Sequence, residues 1–419
     1  MRSRRHSRAQ RVTRALGASL SVSAVLVLSS CAAIDRSSEA NAAGVAGLAS
    51  GGAADRGGAQ NIGGAGKSSG GAGGAAGNAG AEAGASSLPA SFMIGADVTW
   101  VQADEASGAT YSDSDGSKRD ILEILKAHGF NYIRLRTFVD PKAPGGYDPQ
   151  AGFADLAHTI AFGKRIKAAG LGFLLDFHYS DNWADPGKQC VPSAWRGFTD
   201  ITQMANALRD YTVSAVSALI AAGARPDMVQ IGNEITPGMD IHDCDEAGLP
   251  TGVNPVAGPI SDWSNLGALL RAGSNAVKQL DPTILVMLHL DRGNQFAASR
   301  DFISNAQQQG VVFDVFGESC YTAYQGEPSA WASNFAQLAN AFPQLKFVIA
   351  EYGPEARAAN DLLFDMPDAR GLGSFVWEPT HSGAWNGGHS LFTDVGNQYS
   401  AAPDLALYDQ MKVAYRSRL

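Results

Sequence analysis

The feature that most constrains the fold is a series of eight short apolar segments that alternate with helix-like stretches. Each segment is short, rich in β-branched or aromatic residues and followed by turn residues, which is typical of a buried parallel strand. The segments are residues 92–98, 132–138, 172–178, 228–234, 284–290, 313–321, 347–351 and 373–378. Between most of them, apolar residues recur at helical spacing, and residues 120–129 and 155–170 each end at a glycine, a common helix stop.

Strands that alternate with helices favour parallel pairing through right-handed crossovers. Eight such units in about 330 residues favour closure into a barrel over an open sheet. The sequence therefore predicts an α/β protein with a single (β/α)8 TIM barrel over residues 88–419.

The start of the chain has the composition of an export signal. Residues 1–31 carry six arginines, then an apolar stretch at residues 16–28, and end in Leu-Ser-Ser-Cys31. A basic start, a short apolar core and small residues before a cleavage point are typical of such signals. The last four residues resemble a bacterial lipobox, in which cleavage leaves a lipidated Cys31 at the new N-terminus. An ordinary secretory signal with an incidental cysteine is the alternative.

Residues 32–87 consist mostly of Gly, Ala and Ser, with very few large apolar side chains. Such a segment cannot bury enough apolar surface to offset its ordering entropy, so we expect it to be a disordered linker. Its root-mean-square reach would be roughly 40 Å. We expect an exported protein, either a cell-envelope lipoprotein at the outer membrane or cell surface, or a secreted protein. The lipid would be its only membrane contact.

The charge of the chain excludes one class of partner. Its formal net charge is −9 although the predicted signal contributes six arginines, so the remainder is more acidic still. Binding to nucleic acid needs a basic face, which argues against such a partner. A neutral glycan remains compatible with this charge. We expect a monomer without a cofactor.

The cysteines indicate one possible disulfide. Cys190 follows the third predicted strand and Cys244 follows the fourth, so their loops should be neighbours. Export permits disulfides, and we expect a bridge between these two residues, with Cys320 as a lone buried thiol. Because there is no Cys-x-x-Cys pair, a zinc ribbon is not indicated.

Two glutamates end apolar segments on different predicted strands. Glu234 closes the fourth segment and Glu351 closes the seventh. Barrel enzymes place their chemistry at the carboxyl ends of the strands. Cleavage of a glycosidic bond needs one carboxyl as the acid and a second as nucleophile or base, and the separation of the two decides between retention and inversion. The pair therefore predicts a glycosidase site.

Further polar and aromatic residues follow the same strand ends. Any one of them could be structural, but we expect all of them to converge on one mouth of the barrel. Tryptophan faces stack on sugar rings while polar groups fix hydroxyls, so we interpret them as substrate-binding. They are Asp97, Arg134, Arg136, His178, Asp181, Trp183, Asn233, His289, Tyr321 and Trp377.

One long motif resembles a known family. Residues 176–189, Asp-Phe-His-Tyr-Ser-Asp-Asn-Trp-Ala-Asp-Pro-Gly-Lys-Gln, are similar to the signature after the third strand of glycoside hydrolase family 53. Members of this family are endo-β-1,4-galactanases that act on type I arabinogalactan. Shorter matches run in order at residues 95–98, 131–136, 230–235, 289–291, 319–321 and 377–379.

The resemblance implies a retaining mechanism on β-1,4-galactan. It implies that Glu234 is the acid/base and Glu351 the nucleophile. It also implies that Asn233 holds the hydroxyl next to the reacting carbon and that Tyr321 orients the nucleophile. Either Arg134 or Arg136 would contact the nucleophile, and the sequence does not choose between them.

The resemblance also implies roles for three residues of the cleft. Trp377 would form the floor where the bond is cleaved, and Trp183 with Asp181 would line the cleft. In some bacterial relatives the loop after the seventh strand binds calcium. The corresponding residues 356–370 lack a run of alternating oxygen ligands, so we expect no calcium there and no metal elsewhere.

The chain departs from the family pattern in three places. Tyr352 follows Glu351 where the family usually has Thr, and Cys320 stands where it usually has Tyr. The eighth motif continues Thr-His-Ser-Gly-Ala before Trp385 instead of reaching Trp directly. These changes bear on chain-length preference and on galactan as the substrate.

Three alternatives remain open from the sequence. The first is a related retaining barrel glycosidase acting on another β-linked plant polysaccharide. The second is a metal-dependent barrel hydrolase using His178, Asp181 and His289, although the first predicted strand lacks the usual His-x-His pair. The third is a glycan-binding lipoprotein without catalysis, although a decayed site has no reason to keep both glutamates.

Overall fold

The computed structural model describes residues 91–381, 383, 385 and 387–418. The predicted signal, its Cys31 and the predicted linker lie outside these residues. Within the described residues, eight parallel strands close into a barrel. This confirms the predicted (β/α)8 fold.

The barrel strands run in chain order around the ring, with β1 paired to both β8 and β2. Their bounds are β1 Met93–Asp97, β2 Tyr132–Thr137, β3 Gly172–Phe177, β4 Met228–Ile231, β5 Leu285–Leu290, β6 Val315–Cys320, β7 Lys346–Tyr352 and β8 Gly371–Trp377. All eight fall within or beside the predicted segments. The largest difference is at β4, which ends three residues before Glu234.

Helices connect the strands on the outside of the barrel. They are α1 Val101–Ala106, α2 Ile121–Ala127, α3 Leu156–Ala168, α4 Ile201–Ala221, α5 Trp263–Leu280, α6 Phe296–Gln308, α7 Thr322–Gln325, α8 Pro328–Ala341, α9 Ala356–Phe364 and α10 Ala406–Ala414. Short 3-10 turns lie at Ser193–Trp195, Pro367–Ala369, Pro403–Leu405 and Arg416–Arg418.

Several helix ends follow from local sequence. The side chain of Asp120 accepts a hydrogen bond from the backbone of Leu122, and Asp200 caps α4 in the same way. A capping carboxylate satisfies backbone N–H groups that the first turn leaves unpaired. Gly129 follows α2 with a φ of +99°, a conformation that glycine adopts without strain.

Two apolar layers hold the barrel together. One fills its interior, where Phe375 of β8 lies over Gly95 of β1; a Cβ at Gly95 would stand 2.3 Å from that ring. The other lies between strands and helices and includes Phe173, Phe347 and Trp331, all with no exposed surface. The interior layer occupies the lower part of the barrel, so polar side chains are left to the strand ends.

Smaller strands lie in the segments that follow barrel strands β1, β4 and β8. Thr110–Ser112, Lys118–Arg119, Phe392–Val395 and Gln398–Ala401 form one sheet. His242–Cys244 pairs with Pro250–Val253, and Gly238–Met239 pairs with Gly258–Pro259. Cys190 and Cys244 form a disulfide, and Cys320 is a buried free thiol. No described helix combines the length and apolar character needed to cross a membrane.

Candidate active site

A buried arginine organises the carboxyl ends of the strands. Arg134 lies on β2 and is 1 % exposed. Its guanidinium contacts Asp97 at 2.8 Å, Asp176 at 2.8 Å and Glu351 at 2.9 Å. It also donates to the side-chain oxygen of Asn233 at 2.9 Å. One cation therefore ties together strands β1, β2, β3 and β7 and the turn after β4.

Glu351 lies inside β7, with its carboxylate held at both oxygens. Oε1 accepts from Arg134, and Oε2 accepts from the hydroxyl of Tyr321 at 2.9 Å. The structure thus chooses Arg134 over Arg136 as the arginine that contacts Glu351, a choice the sequence left open. Only 7 % of Glu351 is exposed, and two fixed donors leave its carboxylate little rotational freedom.

Glu234 does not close a strand, which corrects our reading of the fourth segment. The strand ends at Ile231, and Glu234 stands in the following turn with a φ of +46°. Non-glycine residues rarely adopt this conformation, which costs of order 1–3 kcal/mol and clusters at functional sites. Its side chain is half-buried, and Oε1 accepts from Ser319 at 2.6 Å.

The two glutamates have unequal electrostatic surroundings. Burial raises the pKa of Glu234 well above the ordinary range of a glutamate, and the nearby Glu351 and Asp291 raise it further. Burial also raises the pKa of Glu351, but there the Arg134 cation acts in the opposite direction. A nearby positive charge and hydrogen bonds to the carboxylate both favour the ionised form of a carboxyl group. Glu351 therefore ionises first, and Glu234 holds its proton.

A hydrogen-bonded network fixes the turn that carries Glu234. Asn233 donates from its side chain to the Ala184 carbonyl at 2.9 Å. Gln189, at the end of the long motif, donates to the backbone carbonyl of Asn233 at 3.0 Å. His289 is fully buried, and its ring lies 3.0 Å from the Asn233 side chain and 3.0 Å from Ser319. These contacts hold the strained turn in place.

Arg136 has a separate function from Arg134. It pairs with Glu378 at 2.7 Å and with Asp97 at 3.3 Å. Its guanidinium carbon lies 4.1 Å from the centre of the Trp183 ring, a cation–π distance. Glu378 also accepts from the backbone N–H of Trp100 at 3.1 Å. Arg136 thereby supports the aromatic residues at the mouth.

The aromatic residues form a continuous wall beside the glutamates. Trp183 and Trp377 have ring centres 6.3 Å apart, and Trp100 lies 5.1 Å from Trp377. Trp385 continues the wall, 5.1 Å from Trp377 and 5.8 Å from Tyr324, with which it stacks. The neighbouring indoles are tilted against one another by 55° to 73°, so they present both faces and edges to the mouth, and indole faces are suited to stacking on sugar rings.

Two predicted binding residues are occupied by protein contacts. Both oxygens of Asp181 accept from backbone N–H groups, of Asp140 at 3.0 Å and of Ser193 at 2.7 Å, so this carboxylate anchors loops. His178 accepts from the Ala184 N–H at 2.9 Å and lies 3.1 Å from Asp176. With both nitrogens engaged, His178 is poorly placed to bind a metal. Within the described ranges, no cluster of three or more His, Cys, Asp or Glu side chains could hold one.

Several residues of this site were absent from our predicted set. They are Gln189, Ser319 and Trp385, whereas Trp100 and Glu378 lie at or just after the ends of the first and eighth predicted strands and were expected at the mouth without an assigned role. Gln189 and Ser319 lie inside motifs quoted above, so the motifs could have indicated them. Trp385 lies in the departure after the eighth strand, and only the folded chain shows that its ring touches Trp377 and, at 5.0 Å, Tyr321.

An eight-stranded barrel with two unequal carboxyls and an aromatic wall at one mouth defines the class of barrel glycosidases. Comparison with known proteins gives the family. The sequence profile described as Glycosyl hydrolase family 53 matches residues 93–362. The chain belongs to this family.

Individual relatives agree with this assignment. The arabinogalactan endo-beta-1,4-galactanase of Thermothelomyces thermophilus is 32 % identical over 319 residues, which cover 68 % of this chain and 88 % of the relative. The Ignisphaera aggregans GH53 catalytic domain superposes with a TM-score of 0.66 at 29 % identity, over 77 % of this chain and 96 % of that structure. A structure from a study of two fungal beta-1,4-galactanases gives 0.65 at 28 %, over 75 % and 98 %.

Proposed function

We propose that the protein is a retaining endo-β-1,4-galactanase acting on type I arabinogalactan. Glu234 acts as acid/base and Glu351 as nucleophile. The unequal surroundings of the two carboxyls carry this proposal. Arg134 and Tyr321 fix Glu351 and favour its ionised form against the effect of burial, whereas Glu234 lacks a cation partner among the described residues and has a pKa well above the usual value. These are the properties that a nucleophile and an acid need.

The chemistry follows from these positions. Glu234 protonates the glycosidic oxygen while Glu351 attacks the anomeric carbon and forms a covalent glycosyl-enzyme. Glu234, now ionised, takes a proton from water, which attacks the same carbon and releases Glu351. Asn233, held by Arg134 and by the Ala184 carbonyl, faces the sugar hydroxyl next to the reacting carbon.

The substrate is inferred from relatives and from the wall. Relatives that match most of this chain are named arabinogalactan endo-β-1,4-galactanases. The wall from Trp183 through Trp377 to Trp385 offers stacking faces for several sugars, which suits cleavage inside a chain. The same wall would accept other β-linked glycans, so substrate choice needs direct comparison.

The test is release of reducing ends from linear β-1,4-galactan by residues 88–419, beside β-mannan, xylan and cellulose. We expect short oligosaccharides and a rapid fall in viscosity with galactan alone. Glu351→Gln and Glu234→Gln should each lose activity while folding normally. Glu318→Gln is a matched control, because Glu318 is a buried glutamate that bonds to Ser299 and Asn334 instead of facing the mouth. Full activity of Glu351→Gln would refute the nucleophile assignment.

Stereochemistry gives an independent test of retention. Proton NMR of the first products should show the β-anomer before mutarotation, and a 2-deoxy-2-fluoro galactoside should trap a covalent adduct on Glu351. An initial α-anomer would mean inversion, in which Glu351 activates water instead of attacking carbon.

We further propose that the protein is an exported lipoprotein carrying lipid on Cys31. The support is the order of basic start, apolar core and lipobox in residues 1–31. Cys31→Ser in the full chain should move the protein from the membrane fraction to the soluble fraction of the expressing cell, or leave an uncleaved precursor. Unchanged fractionation with normal cleavage would favour an ordinary secretory signal.

A further inference from the structure

We propose that Ser319, supported by His289, is a positioning residue that orients Glu234 and favours its ionised form. This inference rests on the proposed function, in which Glu234 must be an acid in the first step and a base in the second. The three side chains form a line: Glu234 Oε1 lies 2.6 Å from Ser319 Oγ, which lies 3.0 Å from His289 Nε2.

The local fold places Ser319 at this position. Ser319 lies on β6, where the pairing with β7 shifts register between Glu318 and Ser319. After the shift, Ser319 pairs with Glu351, the other member of the catalytic pair. Glu318 faces outward, where it contacts Ser299 of α6 and Asn334 of α8. Ser319 therefore points to the mouth, with no exposed surface of its own.

When Glu234 is ionised, the number of available protons determines which group donates in each hydrogen bond from Glu234 through Ser319 to His289. A carboxylate can only accept, so the single Ser319 proton must point to Glu234. Ser319 Oγ then has to accept from His289, which places the imidazole proton on Nε2. The remaining His289 nitrogen, Nδ1, can accept from the Gln230 amide, which lies 3.1 Å away, although in this tautomer Nδ1 also faces the Asn233 oxygen at 3.0 Å with no proton between them. Each of these bonds donates toward Glu234.

A protonated Glu234 needs no such alignment. In that state Oε1 can itself donate to Ser319, whose proton then turns to His289 Nε2. His289 Nδ1 in turn carries the imidazole proton and donates to the Asn233 oxygen at 3.0 Å. The hydrogen bonds between Glu234, Ser319 and His289 can therefore run in either direction. Each direction fits one of the two protonation states of Glu234 that the reaction requires. Because hydrogen bonds to a charged group are the stronger ones, the line stabilises the carboxylate more than the acid.

The charges around the line leave His289 neutral. Burial lowers the pKa of His289 well below its usual value, and the Arg134 cation lowers it further. Asp176 acts in the opposite direction, and His178 adds to the lowering. A neutral imidazole has one proton to offer, as the two directions require.

The charged groups near Glu234 are carboxylates that oppose its ionisation, and the hydroxyl of Ser319 favours its ionisation. The carboxylates of Glu351, Asp291 and Asp185 all raise the pKa of Glu234, and the Ser319 hydrogen bond lowers it. Removal of the Ser319 hydroxyl should therefore raise the pKa of Glu234. The enzyme would keep its acid to higher pH, but kcat should fall, because the ionised carboxylate would lose the hydrogen bond that orients it for the second step.

The test is the pH profile of kcat/KM on galactan for Ser319→Ala. The basic limb, which reports the acid of the free enzyme, should move upward by about one pH unit, and kcat should fall. Ser319→Thr, which keeps a hydroxyl, should restore the wild-type limb. Ser299→Ala is the matched control: it removes a buried serine that bonds to Glu318 at 2.5 Å outside the mouth, and its basic limb should stay in place.

The outcomes separate this inference from the proposed function. Glu234→Gln tests whether Glu234 is the acid at all, and full activity of that variant would refute the proposed function. If Glu234→Gln is inactive while Ser319→Ala keeps the wild-type basic limb and kcat, Glu234 is the acid but Ser319 does not set its ionisation. The melting temperatures of Ser319→Ala and Ser299→Ala should be compared with that of the wild type. If both serines are purely structural, both substitutions will lower the melting temperature and neither will move the pH profile.

Discussion

Replacement of Tyr321 by Phe isolates one hydrogen bond to Glu351. The hydroxyl donates to Oε2 at 2.9 Å, and Arg134 holds the other oxygen at the same distance. Phe keeps the ring, which is 3 % exposed and lies 5.0 Å from the Trp385 ring. The change therefore removes a donor from a buried carboxylate while it leaves the packing in place.

The magnitude follows from the charge of the acceptor. A hydrogen bond to a charged group contributes about 1.5–3 kcal/mol, and one pKa unit corresponds to about 1.4 kcal/mol. The Tyr321 hydroxyl favours the ionised form of Glu351, so its removal raises the pKa of that carboxyl by about one to two units. Ionisation then requires a higher pH, and the acidic limb of kcat/KM moves upward. At the plateau we expect kcat to fall about tenfold, because the carboxylate loses one of two anchors that orient it.

The assay is the pH dependence of galactan hydrolysis for the wild type and Tyr321→Phe. Tyr132→Phe is the control, because the Tyr132 hydroxyl is buried at the far end of β2 and has no hydrogen-bond partner within the described chain. Its profile should overlay the wild type. An unchanged acidic limb in Tyr321→Phe would refute our reasoning that Tyr321 stabilises the Glu351 carboxylate.

Three further changes have expected outcomes of different kinds. Arg134→Met leaves the carboxylates around it buried without their cation, so chemical denaturation should show a loss of about 3–5 kcal/mol or no folded protein; wild-type stability would contradict this. Cys190→Ala with Cys244→Ala opens a loop of 54 residues, and the same assay should show a loss of up to about 4 kcal/mol by the chain-entropy estimate; no loss would contradict it. Trp385→Ala should raise KM for long galactan up to about tenfold with kcat nearly unchanged, whereas a loss confined to kcat would contradict its role in binding.

The parts of the fold that the sequence predicted well depend on short-range pattern. Strand length, β-branched content and helical spacing are properties of neighbouring residues, and all eight barrel strands were located. Asp120 and Gly129 marked the ends of α2 because capping depends on atoms only a few residues away. The position of Glu351 on β7 followed from the same reasoning.

Contacts between distant residues were harder to predict. The bond between Arg134 and Glu351 joins residues 217 positions apart, and pattern alone left Arg136 equally eligible. Glu234 was placed at a strand end because the predicted strand was extended through Gly232 and Asn233, but β4 ends at Ile231 and Gly232 and Glu234 have a positive φ. Asp181 was predicted to line the cleft, and only the folded loops show its two oxygens accepting from backbone N–H groups.

The difference between the two glutamates arises from the barrel and not from either residue's own sequence context. Both are glutamates after apolar runs, and both are close enough for each charge to affect the other. Arg134 contacts Glu351 on β7. In the turn after β4 it contacts Asn233, one residue before Glu234. The Arg134 cation therefore favours ionisation of Glu351, whereas the side chain that donates to Glu234 is the neutral hydroxyl of Ser319. Because the ammonium of a lysine cannot contact several carboxylates at once as a guanidinium fork does, Arg134→Lys should weaken the separation of the acid and nucleophile roles although it keeps the positive charge.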